Sequence, residues 1–362
     1  MTPPKSAIII GAGIVGASLG YHLSKFGIET TLIDAAAPGA GATGQSFSWI
    51  NANYAATPEY FALRMQGLAA YDELSADLGA EFGFRKCGSL YYGATEAELT
   101  KMYQQLRRQN YPVELIGKSR FMQLEPLVAE APDICVYSPI EGALDPVPAT
   151  NAFLKRAVKS GSKLLLGCEF LDFLRDGKKI SGINTTFGTL SADVVVVAAG
   201  VNSGAILSGA NVHLPMDNGQ GVIVHTEPVK RCIEHLIMAH GVHVRQELDG
   251  RLIAGEKFSG GLDPKNPTRL AAVIEERLRT LLPSIEGISI RQIMTGTRPM
   301  PADGFPAVGY VTECEDLYVA TTHSGITLAP IIGKLVADEI ANGNRADLLK
   351  PFGPDRFRED QH

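Results

Sequence analysis

The chain has 362 residues, 45% of them hydrophobic, which is enough to bury a large core and, at this length, to form more than one domain. Its formal net charge is −6 and no stretch concentrates Lys and Arg, which argues against a nucleic-acid-binding surface. The five Cys and eight His residues are scattered without HxxxH, HExxH or paired-cysteine spacing, so the pattern points to reduced thiols and offers no metal centre.

Met1 to Ser6 runs straight into the first apolar segment, leaving no room for a cleaved leader, and no run of about 18 apolar residues predicts a spanning helix. The expectation is a cytoplasmic protein, with peripheral membrane attachment left open. Ala7 to Ile10 reads as a strand, Gly11-Ala12-Gly13-Ile14-Val15-Gly16 as a turn, Ile14 to Phe26 as a helix, and Thr31-Leu32-Ile33 as a strand ending at Asp34. Each glycine removes an obstruction: Gly11 at the tight turn, Gly13 where a pyrophosphate approaches, Gly16 where helix and strand pack. The helix start offers free N–H groups to phosphates, and Asp34 stands about 20 residues on, where an acceptor for ribose hydroxyls is expected. That carboxylate disfavours a 2′-phosphate, so the pattern reads as a dinucleotide site, not NADP. By itself it does not separate FAD from NAD.

Residues 35 to 58 are small and polar, with a core of Ala42 to Asn51 that reads as a functional loop. Tyr60, Phe61, Leu68, Tyr71, Leu74 and Leu78 follow at helical spacing and are assigned to the core. From Glu81 the character changes: Phe84 to Tyr92 reads as strand, Glu96 to Arg108 as an exposed charged helix, Val113 to Leu115 as strand, and Ser119 to Leu124 as a short helix ended by Pro126. Pro148 to Val158 is helix, Lys163 to Leu166 a short strand, and residues 170 to 190 a hairpin around Asp176-Gly177. The β-branched run from Asp193 to Gly200 marks a buried parallel strand, whose carboxyl end is where ligands sit in open α/β sheets.

Residues 213 to 295 read as a second insertion. It holds strands at Gln220 to His225 and Val242 to Arg245, a hairpin through Asp249-Gly250 into Leu252-Ile253-Ala254, and a helix from Thr268 to Leu282 stopped at Pro283. Gly296-Thr297-Arg298-Pro299, Asp303-Gly304-Phe305-Pro306, a strand from Leu317 to Ala320 and a helix from Ile326 to Ala341 complete the chain. The charged end, Asp355 to His362, is expected to fray.

Taken together these residues resemble the FAD-dependent D-amino acid oxidase superfamily, in its glycine oxidase and sarcosine oxidase branch. The likeness rests on the first glycine turn with Asp34, the loop at Thr43 to Ser48, Asp145-Pro146, VVVVAAG ending at Gly200, GTRP with DGFP after it, and SGITLAP from Ser324 to Pro330. It implies an α/β (overall α+β) fold: a discontinuous Rossmann-like FAD domain of the GR2 type, 1–80, 136–212 and 296–362, with a mainly antiparallel substrate domain, 81–135 and 213–295. It further implies that the flavin takes a hydride from the carbon bearing the amine of a small, N-substituted or cyclic amino acid, and that the resulting imine hydrolyses. Electrons would pass to O2, a quinone or another acceptor.

Carried over residue by residue, Gly11, Gly13, Ile14, Val15, Gly16 and Asp34 would hold the ADP half. Thr43, Gly44, Gln45, Ser46, Ser48, Trp49 and Ile50 would line the path to the flavin, with Phe170, Ala199 and Gly200 beside the cofactor. Ser324, Gly325, Ile326 and Thr327 would meet the flavin pyrimidine. Arg298 aligns with the arginine that clamps the substrate carboxylate, next to the flavin. His243 stands where glycine oxidase has a carboxylate-contacting Tyr, and His323 where it has a second substrate-side Arg. Arg245, two residues past His243 on a strand, is weighed equally as a pocket residue and as one half of a cross-strand ion pair. Gly296 replaces the cysteine that tethers flavin in sarcosine oxidases, which implies noncovalent FAD. Thr327 replaces that branch's substrate lysine, and its O2-activating lysine falls near Ile253, with Lys257 the nearest substitute. Two alternatives stay open: a flavin subunit of a larger dehydrogenase complex, and a flavin-binding protein whose pocket is not catalytic.

Overall fold

The computed structural model describes residues 3–53, 55–129, 131–217, 219–256 and 266–358. The apolar run after Ser6 becomes the strand Ser6–Ile10, which pairs in parallel with Glu29–Asp34 on one side and Val194–Val197 on the other. Lys163–Leu166 extends the sheet beyond Glu29–Asp34, and Cys314–Thr321 extends it beyond Val194–Val197. All four residues of Val194–Val197 are buried, as expected of a central strand with both faces covered. The expected hairpin is present as Phe170–Asp176 and Lys179–Thr185, and Gly188–Ser191 adds a third strand. One strand, Ala307–Val311, is absent from the sequence reading; Pro306 before it and Gly309 inside it, at φ +151, interrupt the alternation that would have marked it.

The first helix, Ile14–Lys25, packs between the last helix, Gly325–Asn342, and the helix Pro146–Lys159. Contact with the last helix is close because Gly333 is bare: a Cβ there would lie 2.2 Å from Ser18 Oγ. Ser18 Oγ donates to the Ala329 carbonyl at 2.8 Å across the same contact. Pro330 sits inside the last helix and lacks the N–H that would bond the Ile326 carbonyl. The hydroxyl of Tyr71, from the second helix, Pro58–Leu78, donates to that carbonyl instead, so the helix continues past the proline.

The second large sheet runs in the order Ile290–Thr297, Gln220–Thr226, Leu252–Gly255, Val242–Gln246, Leu236–Ala239, Ser89–Tyr91, Ile134–Ser138, Glu114–Gly117. Every neighbouring pair is antiparallel except Leu236–Ala239 with Ser89–Tyr91. The α/β class with a mainly antiparallel second sheet therefore stands. Ile134–Ser138, Leu236–Ala239 and Ile290–Thr297 have no counterpart in the sequence reading, and two further details differ from it. Phe84 to Tyr92 is not one strand: only Ser89–Tyr91 is, with an isolated bridge at Arg85, because Gly88 at φ +73 breaks the extension. Nor does the tail fray as far as residue 358, since Arg356 pairs with Asp303 at 2.7 Å and Asp355 accepts from Thr312 N–H at 3.2 Å.

Candidate functional site

At the carboxyl end of the parallel sheet the chain exposes bare backbone. Gly11 turns at φ +111, and a Cβ on it would lie 2.4 Å from the Ala198 carbonyl oxygen. A Cβ on Gly16 would lie 1.9 Å from the Gly11 carbonyl oxygen, so neither glycine can be replaced without displacing main chain. Asp34 accepts the Ala12 N–H at 2.7 Å and the Ala36 N–H at 2.9 Å, which leaves lone pairs on both carboxylate oxygens for a diol. Thr43 Oγ1 accepts the Ile14 N–H at 3.2 Å and faces Gly13, tying the small-residue loop to the helix start. Phe170 begins its strand two residues after Cys168, whose N–H donates to the Asp34 carbonyl at 3.0 Å. Val15 and Gly325 are in contact range, with a Gly325 Cβ placed 3.5 Å from Val15 Cγ2, so the first and last helices start side by side. A glycine cradle at one helix start, a diol acceptor beside it and a second helix start facing the same way fit a nucleotide joined to a second anion-seeking ring.

The loop that follows is locked to both sheets. Gly44 allows a close turn, its Cβ position being 2.6 Å from the Gly39 carbonyl oxygen. Gln45 fills the space over Gly296, where a Cβ would approach Gln45 Cβ to 2.9 Å. Ser48 is left-handed at φ +58 and its N–H donates to Ser46 Oγ at 3.0 Å. Trp49–Ile50 pairs with Gly142–Ala143, and Trp49 Nε1 donates to Glu141 at 2.5 Å. Thr327 Oγ1 lies 3.4 Å from both the Trp49 carbonyl oxygen and the Asn51 nitrogen. Gly200, at φ +59, borders Pro299, with a Cβ position 3.8 Å from Pro299 Cβ, and so brings Ala199 and the strand end to the Arg298 segment.

Arg298, His243 and His323 converge. Arg298 follows the edge strand Ile290–Thr297; its N–H donates to the Gly219 carbonyl at 3.0 Å. Its guanidinium is half-buried, and burial lowers its pKa against the opposing pull of Asp217. His243 is buried over Gly255, where a Cβ would come within 2.5 Å of its Nε2, and its ring meets Phe47 at 4.4 Å between centroids. Burial, with the Arg298 charge behind it, brings its pKa down to about 3. His323 is half-buried, 3.1 Å from Ser324 Oγ, and its pKa is lowered to about 4 by burial, then by Arg64 and Arg298. Both histidines are therefore neutral at neutral pH, and the positive charge of the pocket belongs to arginines.

Arg245 sits against the same Phe47 ring and has an acid of its own. It lies on the His243 face of its strand as expected, but it is buried, donates to the Phe47 carbonyl at 2.6 Å and pairs with Glu247. An ion pair is observed, with Glu247 two residues on, just past the end of the strand, and not with a residue across it; Arg245 also borders a cavity with Gly44, Ser46 and Ile253. Lys257 lies outside the described residues.

Two residues of the site were missed by the sequence reading. Arg64, on the second helix, donates to the Asn51 carbonyl at 3.0 Å, to Asn51 Oδ1 at 2.7 Å and to Ser324 Oγ at 3.3 Å. Its signal was a charge on the apolar stripe that includes Tyr60, Leu68 and Tyr71. Glu141 is fully buried and accepts from Trp49, Ser89, Tyr111 and Asn53 at 2.5, 2.6, 2.6 and 2.9 Å. Burial outweighs these donors and raises its pKa to about 7. Among the described residues no His, Cys, Asp and Glu group could hold a metal, and no helix is long and apolar enough to cross a membrane.

Residues 6–339 match the family model described as FAD dependent oxidoreductase. The chain is 27% identical over 371 residues to glycine oxidase of Geobacillus kaustophilus (strain HTA426), covering 97% of each. Its fold is similar to that of L-proline dehydrogenase from P. horikoshii, with a TM-score of 0.86 at 24% identity over 99% of this chain and 98% of that one. It is also similar to L-amino acid deaminase from Proteus vulgaris lacking its specific insertion, with a TM-score of 0.89 at 20% identity over 99% and 95%.

Proposed function

The chain belongs to the FAD dependent oxidoreductase family, and from that premise we propose that it oxidises the CH–NH bond of a small, N-substituted or cyclic amino acid to an imine. The observation that carries this reading is Arg298, a half-buried guanidinium flanked by two neutral histidines at the end of the site where Gly200 and the last helix meet. Similarity to a glycine oxidase supports the same substrate class.

In this reading Gly11, Gly13, Gly16 and Asp34 hold the ADP half of FAD, the loop from Thr43 to Ile50 lines its path, and Gly325, Ile326 and Thr327 turn their N–H groups to its pyrimidine ring. When bound, FAD supplies the hydride acceptor. Arg298 grips the substrate carboxylate through its planar fork and so fixes the α-carbon. His243 and His323, being neutral, add no repulsion toward the substrate amine. Phe47 holds the His243 ring, and Gly255 gives it room. FAD is held noncovalently in this reading, since Gly296 offers no thiol at the position where sarcosine oxidases tether their flavin. Residues 1–80, 136–212 and 296–362 make up the cofactor domain and 81–135 with 213–295 the substrate domain, except that the strands Ile134–Ser138 and Ile290–Thr297 carry the second sheet a few residues past these boundaries.

The test is anaerobic mixing of the flavin-loaded protein with a panel of amino acids and their N-alkyl and cyclic forms. Bleaching by a carboxylate-bearing amine supports the reading, and bleaching by none would favour a non-catalytic flavin-binding protein. Peroxide formed on repeating the mixing in air identifies an oxidase. Its absence points to a quinone or protein acceptor and to a subunit of a larger dehydrogenase.

A further inference from the structure

Arg64 is 4% exposed. Its hydrogen-bond acceptors, the Asn51 carbonyl, Asn51 Oδ1 and Ser324 Oγ, are neutral, and among the described residues no carboxylate comes within ion-pair distance. The other arginines drawn into the interior have acids: Arg245 has Glu247, and Arg345 has Glu339 at 3.0 Å. Glu141 feels the Arg64 charge, but it is itself raised to a pKa of about 7 and committed to four donors, so the buried guanidinium is compensated only in part; that shortfall is costly, and the cost is recovered when an anion arrives beside it.

The direction in which Arg64 points says where that anion sits. Ser324 is the left-handed residue (φ +57) at the start of the last helix, and no side chain caps the N–H groups that follow it. The second helix reaches this point because Gly67 is bare, its Cβ position being 2.5 Å from the Thr327 carbonyl oxygen. The helix start carries a partial positive charge, and Arg64 places a full one behind it. His323, between them and Arg298, stays neutral.

We infer that Arg64 is a charge-setting residue of the flavin site: together with the start of the last helix it stabilises negative charge on the pyrimidine end of the bound cofactor. The inference rests on the flavin site proposed above. Arg64 is a positioning residue as well, through Asn51, and the two roles separate by substitution.

The experiment uses the FAD-loaded protein and two readouts independent of turnover: the flavin midpoint potential, and the dissociation constant for sulfite, whose addition puts negative charge on the flavin ring. Arg64→Gln keeps donors for Asn51 and removes the charge; sulfite binding is expected to weaken by about tenfold or more, the worth of one charge-assisted contact, and the potential to fall. Arg64→Lys keeps the charge and breaks the fork, and is expected to bind sulfite within about threefold of the parent, since the charge carries the effect. Unchanged sulfite affinity and potential in Arg64→Gln would overturn the inference, as would equal weakening in Arg64→Lys. The lysine variant decides the matter should the glutamine variant fail to retain FAD. If the parent protein itself holds no FAD, the flavin-site reading fails and not the role of Arg64 alone.

Discussion

Replacing Arg298 by Met keeps most of the aliphatic stem and removes the fork. The guanidinium is half-buried with Asp217 offsetting part of its charge, so its grip on a carboxylate is a charge-assisted contact in a partly dry site. Such contacts contribute about 1.5–3 kcal/mol, which corresponds to a KM for the amino acid raised about ten- to hundredfold. The matching amine without its carboxylate should keep its KM, because it never met the fork. Initial rates with the amino acid and the amine side by side make the assay. The same substitution removes a charge that holds down both His243 and His323, so their ring pKa values should rise in an NMR titration. An unchanged KM for the amino acid, or an equal loss for the amine, would refute the clamp.

Glu141→Leu should destabilise the fold by about 3–5 kcal/mol in denaturant melts, since it strands four donors that converge on one carboxylate, those of Ser89 and Tyr111 buried and those of Trp49 and Asn53 partly so; a loss below about 1 kcal/mol would remove Glu141 as the anchor of the loop. Gly255→Ala pushes a methyl to 2.5 Å from His243 Nε2, and should lower stability by about 1–3 kcal/mol and separate His243 from Phe47. A crystal structure of that variant with the ring unmoved would contradict the packing. Stability should fall on acidification from pH 6.5 to 4.5. His22 and His243, neutral in the fold down to about 3, are protonated only on unfolding, so their contribution is full above pH 6.5 and lost as pH falls. Glu141, whose pKa is raised to about 7, works the other way over the same window, because the unfolded chain loses that proton first. Two groups against one leave a net loss of about 1.4 kcal/mol per pH unit, and His225 and His323 add to it in direction. Melts that are flat or rise toward pH 4.5 would show these burials to be misjudged.

The parallel sheet was legible because Ala7 to Ile10 and Val194 to Val197 are covered on both faces and so read as unbroken apolar runs. Ile290–Thr297 escaped because, as an edge strand with one partner, it carries polar residues at both faces. Ile134–Ser138 and Leu236–Ala239 are too short to stand out from the loops that flank them. The nucleotide end of the site could be read from spacing alone, since Gly11 to Asp34 is continuous in sequence. Its other end could not: Arg298, His243 and His323 come from three distant segments and were reached only through family resemblance. Arg245 illustrates the limit, because strand periodicity gave its face correctly and could not say that Glu247, two residues on, would take its charge. Glu141 left no periodic trace, as its role comes from donors on Trp49, Asn53, Ser89 and Tyr111, which only the folded chain assembles.

The central claim, that Arg298 and the FAD site together oxidise a carboxylate-bearing amine, is tested most directly by anaerobic titration of the flavin-loaded protein with the best substrate of the panel. Reduction of the flavin with one carbonyl product released per flavin, weakened in Arg298→Met, is the predicted result. A protein that holds FAD but is reduced by no carboxylate-bearing amine, or whose reduction is indifferent to Arg298, would contradict it.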